Sequence, residues 1–571
     1  MSTVSSTSST TSATTSTSTS SALSSSSTVK NITIDWDTLI EEGYQAKLTK
    51  ADTVETKITT NQAKVSAYEQ AQTLLQDLSD AADALRAPTG SSASSTDVFE
   101  SRTAYLTANG SVTASDAVAV TVEDGSDIGS YDLAILQLAT AHKVASDTQS
   151  SRTTDLGYDG VFSLTVEGGS TVTVTVDSGM TLNEIAEAIN NTTDTSGVKA
   201  AVLQVSSGSY KLVLTAQDTG KTITAAAVSG DDVLQELGIT GSDGAFANEL
   251  QTAQDAIVEL DGIEVSRDSN EIDDLVDGVT FHLYQTTPDD TSIAVEVGTN
   301  LSDVKTAVQT LVDAYNAYRD FAITQQTIGS DGTVSEDAVL YGDGTLKNIS
   351  TDLSAALTTM LGSKSMSTIG LSFDSDNKLE LDTDVLDDAL LDDLDTVKSL
   401  LSFQSSTTSS DLMLLTRGTS TPSSITLDIQ VDDTGTLSSA SVNGDDTLFT
   451  IKDNRIVGNS GTIYAGLSFV YIGTTDQTVT FTSTTGIAEL LYTTADTAAD
   501  TTSGSLQTLV DRLTDQNTTL QDRVDLLTSR AESYKERITA RYASYQAAIS
   551  EAQATLSYLE TLLNYNTSSD S

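Results

Sequence analysis

Two histidines, His142 and His282, and 81 carboxylates are the side chains with which this 571-residue chain could do acid–base or metal chemistry, since it contains no cysteine. Without thiols there is no disulfide staple, thiolate zinc site or cysteine nucleophile. The histidines lie about 140 residues apart with no partner motif near either, so both read as structural. Paired carboxylates perform glycoside hydrolysis, but among 81 acids close pairs arise by number alone and mostly form solvated faces. Asp374-Ser375-Asp376-Asn377 opens like a calcium loop, yet the glycine and closing glutamate of an EF-hand are missing at the required spacing. A β-turn ahead of Leu379-Glu380-Leu381 is expected there instead. Asp384 to Asp395 reads DVLDDALLDDLD, with Val385, Leu386, Leu390, Leu391 and Leu394 at helical spacing, an amphipathic helix rather than a cation site. A phosphate loop of the GxxxxGK[ST] type is absent. No constellation supports an enzyme, a cofactor or a metal.

The charge excludes further classes. A net −53 repels phosphate backbones, because nucleic-acid binding needs clustered Lys and Arg. It keeps a chain soluble and suits secretion or a saline habitat. No window approaches the roughly 18 apolar residues of a membrane span. The first positive side chain is Lys30, so a Sec-type basic start is missing and any export uses another route.

The elements that would carry function lie at the two ends. Residues 1–28 are Ser or Thr at 23 positions and carry no charge, a composition that reads as a disordered tail, either a passive linker or an export signal. From Thr38 to Arg86 apolar residues recur at steps of three and four: Ala51, Val54, Ile58, Asn61, Val65, Tyr68, Ala71, Leu75, Leu78, Ala82, Leu85. Asn61 is the polar exception, of the kind that fixes register in a coiled coil. Thr38 with Glu41 offers a capping box, and Ala87-Pro88 stops the helix. The C-terminal end repeats the pattern through Leu506, Leu509, Leu513, Gln516, Leu520, Val524, Leu527, Ala531, Tyr534, Ile538, Tyr542, Tyr545, Ile549, Ala552, Leu556, Leu559 and Leu563, with stutters after Leu520 and Ile538. A narrow apolar stripe of this length must pair, and the N-terminal stripe is the expected partner.

Between the ends, short β-branched runs alternate with Gly, Asp and Ser. Phe162 to Val166 and Val172 to Val176 form a hairpin, Thr181 with Glu184 caps a helix, and Val198 to Val205 with Tyr210 to Leu214 complete a ββαββ module. A second β block spans Ala256 to Val297 with turns at Asp261-Gly262 and Asp277-Gly278; residues 301–323 and 345–361 are helical, and 424–483 are again β-like. The length predicts roughly three to five domains. Residues 88–504 hold 62 acids against 16 bases, whereas 30–87 and 505–571 together hold 19 against 12. The acidity belongs to the β regions, where it keeps neighbouring surfaces from sticking.

Local stretches resemble the flagellar hook-associated protein 2 family of filament caps. They are IDWDTLIEEGYQAKLTKADTVETKITTNQAKVSAYEQAQTLLQDL from Ile34 to Leu78, TLNEIAEAIN from Thr181 to Asn190 within a flagellin hook IN-like motif, and DAIVELDGIEVSRDSNEIDDLVDGVTFHL from Asp255 to Leu283. VDAYNAYRDF, IGLSFDSDNKLELDTDVLDDAL, GIAELL and RYASYQAAISEAQATLSYL follow in the family's order. Residues 405–485 form a longer β-rich segment than compact members carry.

The resemblance implies an α+β multidomain chain in which long coiled-coil-like terminal helices form a stalk and two or three β-rich domains are inserted between them. Its divisions are a Ser/Thr-rich export tail at 1–29, an N-terminal stalk helix at 30–87, and a plate domain from 88–150 with 250–300. An inserted domain follows at 151–249, then a helical stalk region with a hairpin at 301–404, the extra segment at 405–485, a C-terminal stalk helix at 486–566 and a short tail at 567–571. It implies a secreted, non-enzymatic homo-oligomer, usually described as pentameric, at the distal tip of the filament, which prevents flagellin leakage and promotes its folding and polymerisation. Implied partners are flagellin, other copies of itself, hook-associated proteins, the flagellar type III export apparatus and a cytoplasmic export chaperone. The stalk, filament and oligomer contacts fall to Val54, Ile58, Asn61, Val65, Tyr68, Leu75, Tyr534, Ile538, Tyr542, Tyr545, Ile549, Leu556, Leu559 and Leu563. Two alternatives are a surface adhesin for host mucin or glycans and another flagellar axial protein, a junction protein or flagellin.

Overall fold

The computed structural model describes residues 34–86, 97–418 and 421–568. The tail expected at 1–29 lies outside them. Among the described residues, the helices of eight or more residues are α1 (Trp36–Asp83), α2 (Leu182–Asn190), α3 (Leu301–Thr324), α4 (Gly344–Leu357), α5 (Thr383–Asp392), α6 (Leu394–Leu401), α7 (Ile487–Ala499) and α8 (Ser505–Ser568). The chain divides into two compact units, one of residues up to 63 and from 512 onward, the other of 64–511.

In the first unit, Ala51, Val54 and Ile58 of α1 bury against Val524 of α8, with Leu520 and Leu527 packed alongside. The three-and-four spacing puts these side chains on one stripe of each helix, and mutual burial satisfies both. The start of α1 differs from expectation. Asp35, not Thr38, caps it: its carboxylate accepts the Thr38 N–H at 3.1 Å and the Thr38 hydroxyl at 2.6 Å. Those bonds hold the Asp35 carboxyl below its ordinary range. Glu41 is unavailable for a capping box because it pairs with Lys535 at 2.8 Å and accepts from Gln45 at 2.7 Å.

The second unit holds the rest of α1, whose Tyr68, Ala71, Leu75, Leu78 and Ala82 are buried, and helices α3 to α7. Tyr68 donates to Asp343, the residue that caps α4. Three β regions each have a core. In the first, an antiparallel sheet runs in the order 102–109, 292–299, 129–137, 256–260, 263–267, beside a three-stranded sheet of 271–276, 279–283 and 118–122. Leu133, Ile135, Val295 and Phe281 fill its interior. Asp261 and Gly262 both adopt positive φ, 52° and 80°, as a two-residue hairpin between twisted strands requires.

The second β region is the ββαββ module, with the expected capping box in place: the Glu184 N–H reaches the Thr181 hydroxyl and the Thr181 N–H reaches the Glu184 carboxylate. Its boundary falls earlier than residue 151, because strand Lys143–Ala145 joins its sheet and Val144 joins its core. The third is the 405–485 segment, two four-stranded antiparallel sheets closed over Leu427, Ile456, Phe469, Tyr471 and Phe481. It therefore has its own core.

Two expected helices are broken. The stretch 486–566 is α7 and α8, separated where Asp500 turns out of helix and its carboxylate accepts the N–H groups of Thr502 and Ser503. The acidic run at 384–395 is α5 and α6, because Asp393 leaves the helical conformation, at φ −153° and ψ 66°, and caps α6 through the Thr396 N–H at 3.1 Å. Of its interleaved apolar residues only Leu386 and Leu390 are buried, and Leu391 is 74% exposed. The Asp374 turn forms as expected, joining strands Leu371–Phe373 and Leu379–Leu381.

Candidate functional site

The candidate site is the helix pair of the first unit. Gly43 sits where a Cβ would meet the Tyr534 ring at 3.3 Å, so the missing side chain lets that ring lie against the α1 backbone. Lys47 stands over the same ring at 5.2 Å. Trp36 packs on Tyr542 with centroids 4.9 Å apart and on Tyr545 at 6.5 Å. Glu41 and Lys535 stabilise each other's charged forms through their hydrogen bond, lowering the one pKa and raising the other.

The two polar exceptions in the stripes meet. Asn61 donates to Asn517 at 2.9 Å and to Gln516 at 3.4 Å. A polar layer inside an apolar seam is satisfied in one register only, which is how such a layer specifies pairing. The signal was present in the spacing for Asn61, the single polar member of its series, but its shorter bond goes to the half-buried Asn517, while Gln516, the polar member of the other series, is exposed.

The expected contact residues sort into three groups. Val54 and Ile58 are buried in the seam, while Tyr534, Ile538, Tyr542 and Ile549 are half-buried along α8. Val65, half-buried, and Tyr68 and Leu75, fully buried, belong to the second unit, where the latter two lie in the interior and offer no outer surface. Tyr545, Leu556, Leu559 and Leu563 are exposed, at 48%, 49%, 48% and 65%; Leu562 and Tyr558 are exposed too, Tyr558 on the opposite side of the helix. The expectation that α1 partners the whole C-terminal stripe thus holds only to Tyr545. Because α1 begins at Trp36, α8 runs on to Ser568, roughly 35 Å further at about 1.5 Å per residue.

His142 is buried; its Nδ1 accepts the Ile223 N–H at 3.0 Å and its Nε2 lies 3.0 Å from Glu249, so both nitrogens hold the fold. His282 lies on a strand between Glu271 and Ala119, with its Nε2 3.5 Å from the Thr121 hydroxyl. Among the described residues no cluster of His, Asp or Glu is arranged to hold a metal ion, and no helix is long and apolar enough to cross a membrane.

Comparison with known proteins agrees in order and extent. Residues 253–554 match the flagellar hook-associated protein 2 C-terminus, residues 32–142 its N-terminus, and residues 161–218 the flagellin hook IN motif. Flagellar hook-associated protein 2 of Escherichia coli O157:H7 is 31% identical over 355 residues, 59% of this chain and 72% of that one. The B-type flagellar hook-associated protein 2 of Pseudomonas aeruginosa is 28% identical over 48% of this chain and 61% of its own. Among solved structures, the D1-D2-D3 domains of the flagellar cap protein FliD from Escherichia coli align at 27% identity with a TM-score of 0.43, covering 59% of this chain and 90% of that one. By the family match over residues 253–554 and the 31% identity to the Escherichia coli relative, the chain belongs to the flagellar hook-associated protein 2 family, the capping proteins of the flagellar filament.

Proposed function

We propose that this chain works at the distal tip of the filament as a homo-oligomer, and that the exposed end of α8 is the part that grips flagellin. The carrying observation is the overhang: Leu556, Leu559 and Leu563, at steps of three and four on one face, stay 48% to 65% exposed on a helix that α1 has already left. An apolar helix face of this kind lays its anchors into a groove between partner helices. Completing the burial of a half-exposed leucine is worth on the order of 1 kcal/mol, so a few anchors hold without locking. Such exchangeable contact suits a cap that steps forward as each subunit is added. The Ser/Thr-rich start serves in this reading as the signal for the flagellar export apparatus and its chaperone. The acidic β regions would form the plate beneath which flagellin folds, their charge discouraging adhesion of the unfolded chain.

The test is the variant Leu556→Gln, Leu559→Gln, Leu563→Gln in the full chain. Flagellin monomers in the medium and short or missing filaments are expected, with the variant still exported. Filaments of normal length would reject the assignment of the overhang.

A further inference from the structure

α8 carries five arginines, Arg512, Arg523, Arg530, Arg537 and Arg541, at steps of 11, 7, 7 and 4. At 3.6 residues per turn these steps return to nearly the same heading, so all five lie within about 40° of arc. All five are exposed, and among the described residues none joins an ion pair. The stripe runs along one flank of the apolar seam, the position where helix pairs ordinarily place opposite charges. The other flank follows that rule with Glu41 and Lys535. On the arginine flank α1 instead presents Lys47 and Lys50, and with Arg530 and Arg537 they line a groove of about 570 Å³ that holds no carboxylate.

Four cations gathered this way, in a chain with 28 bases against 81 acids, repel one another unless something anionic is laid across them. Residues 1–29 cannot supply it, since they carry no charged side chain. The second unit carries the complementary surface. A groove of about 670 Å³ is lined by Asp77 and Asp80 of α1 and Asp303 and Asp313 of α3, over a floor that includes Ala81 and Ala307. Small residues at the floor let a helix approach closely, and no Lys or Arg lines it. Asp303 and Asp313 lie about 15 Å apart along α3, and Arg530 and Arg541 about 16.5 Å apart along α8. Arginine is the residue whose planar fork best uses such carboxylates.

We propose that the arginine face of α8 in one copy seats in the aspartate groove of a second copy. Because the two patches differ, the contact is head-to-tail, and its repetition closes a ring or continues as a helix. It shares with the cap reading only the homo-oligomer and makes no use of the leucine overhang, so either can fail alone.

The absence of cysteine makes the test clean. Full-length chains bearing Arg537→Cys and chains of different tag length bearing Thr310→Cys are mixed and mildly oxidised. A mixed disulfide between the two lengths is expected. It should fall at least tenfold when the groove chain also carries Asp80→Arg, or in high salt, and return when Asp80→Arg meets Arg530→Asp on the other chain. The absence of a mixed disulfide under conditions where the chain self-associates would overturn the proposal. So would a cross-link that forms within single, dilute chains carrying both cysteines, or one indifferent to the charge changes.

Discussion

Replacing Glu489 with glutamine should destabilise the second unit more than any other single isosteric change in it. Glu489 stands between two guanidiniums, with Arg417 Nη2 at 2.6 Å and Arg86 Nη1 at 3.6 Å from the same oxygen. The side chains are only 13%, 8% and 23% exposed. Arg417 also lies over the Phe403 ring at 4.5 Å, and Arg86 over the Tyr492 ring at 3.4 Å. The cluster ties the β segment of 405–485 to the end of α1 and to α7. Burial drags the Arg417 pKa down from its ordinary value. At Arg86 burial acts in the same direction but is outweighed by Asp83 and Glu489, and the pKa ends higher. Glu489→Gln keeps the shape and removes the charge, leaving the guanidiniums to face each other. Breaking a buried pair from one side costs about 3 to 5 kcal/mol; Arg86 keeps Asp83, which favours the lower end, roughly 3 kcal/mol. At about 2 to 4 °C per kcal/mol for a unit of this kind, the transition should fall by roughly 6 to 12 °C. Differential scanning calorimetry reads this directly. The double variant Glu489→Leu, Arg417→Leu should recover more than half of the loss, because an apolar pair carries no unpaired charge. A shift below about 1 °C for Glu489→Gln would refute the reasoning.

Four further outcomes follow from local geometry. Asp97 is buried and burial raises its pKa, so its contribution is full at acid pH and is lost as pH rises through the folded-state value; Asp97→Asn, which keeps the acceptor for the Phe99 N–H at 3.0 Å, should raise the melting temperature at pH 7 and leave it unchanged near pH 3. Thr181→Ala removes half of a capping box and should cost about 1 kcal/mol in urea unfolding of the ββαββ module. Gly504→Ala would drive a Cβ into the backbone carbonyls of Ala498 and Asp500, and should cost on the order of 2 kcal/mol or more by the same calorimetry. Asn61→Leu should raise the stability of the first unit by roughly 1 kcal/mol while broadening spin-label distances between positions 54 and 524, since register would then rest on apolar packing alone.

The terminal stripes were legible because every third or fourth residue obeys one rule for tens of residues, and nearly every position so marked in α1 is buried. The hairpins were legible where turn chemistry is explicit, as at Asp261-Gly262. Helix interruptions were not. Asp393 and Asp500 are ordinary residues in acidic surroundings, and both act as caps only because the chain must turn there. Nor could spacing show where α1 begins relative to α8, which depends on which Trp36 and Tyr542 pack together. That offset decides which apolar residues are spent in the seam and which remain outside. The arginine flank was hidden for a different reason: its period was readable, but its meaning depends on Lys47 and Lys50 lying opposite.

Charge alone cannot make that flank specific. With 62 acids in residues 88–504, any basic stripe is attracted to most of the surface of another copy. The long-range field speeds encounters, and it weakens with salt over about 10 Å at 0.1 M. Discrimination must come at contact, from spacing and shape. The aspartates of the groove recur along a helix at nearly the arginine interval, and the alanine floor admits a helix where bulkier residues would hold it off. Replacing Ala307 with leucine leaves every charge in place, so it separates these terms. It should preserve the salt dependence of the encounter rate and shorten the lifetime of the complex by tenfold or more, as read by stopped-flow dissociation. Equal lifetimes for both chains would mean that attraction without fit is enough, and the groove would lose its standing as a specific seat.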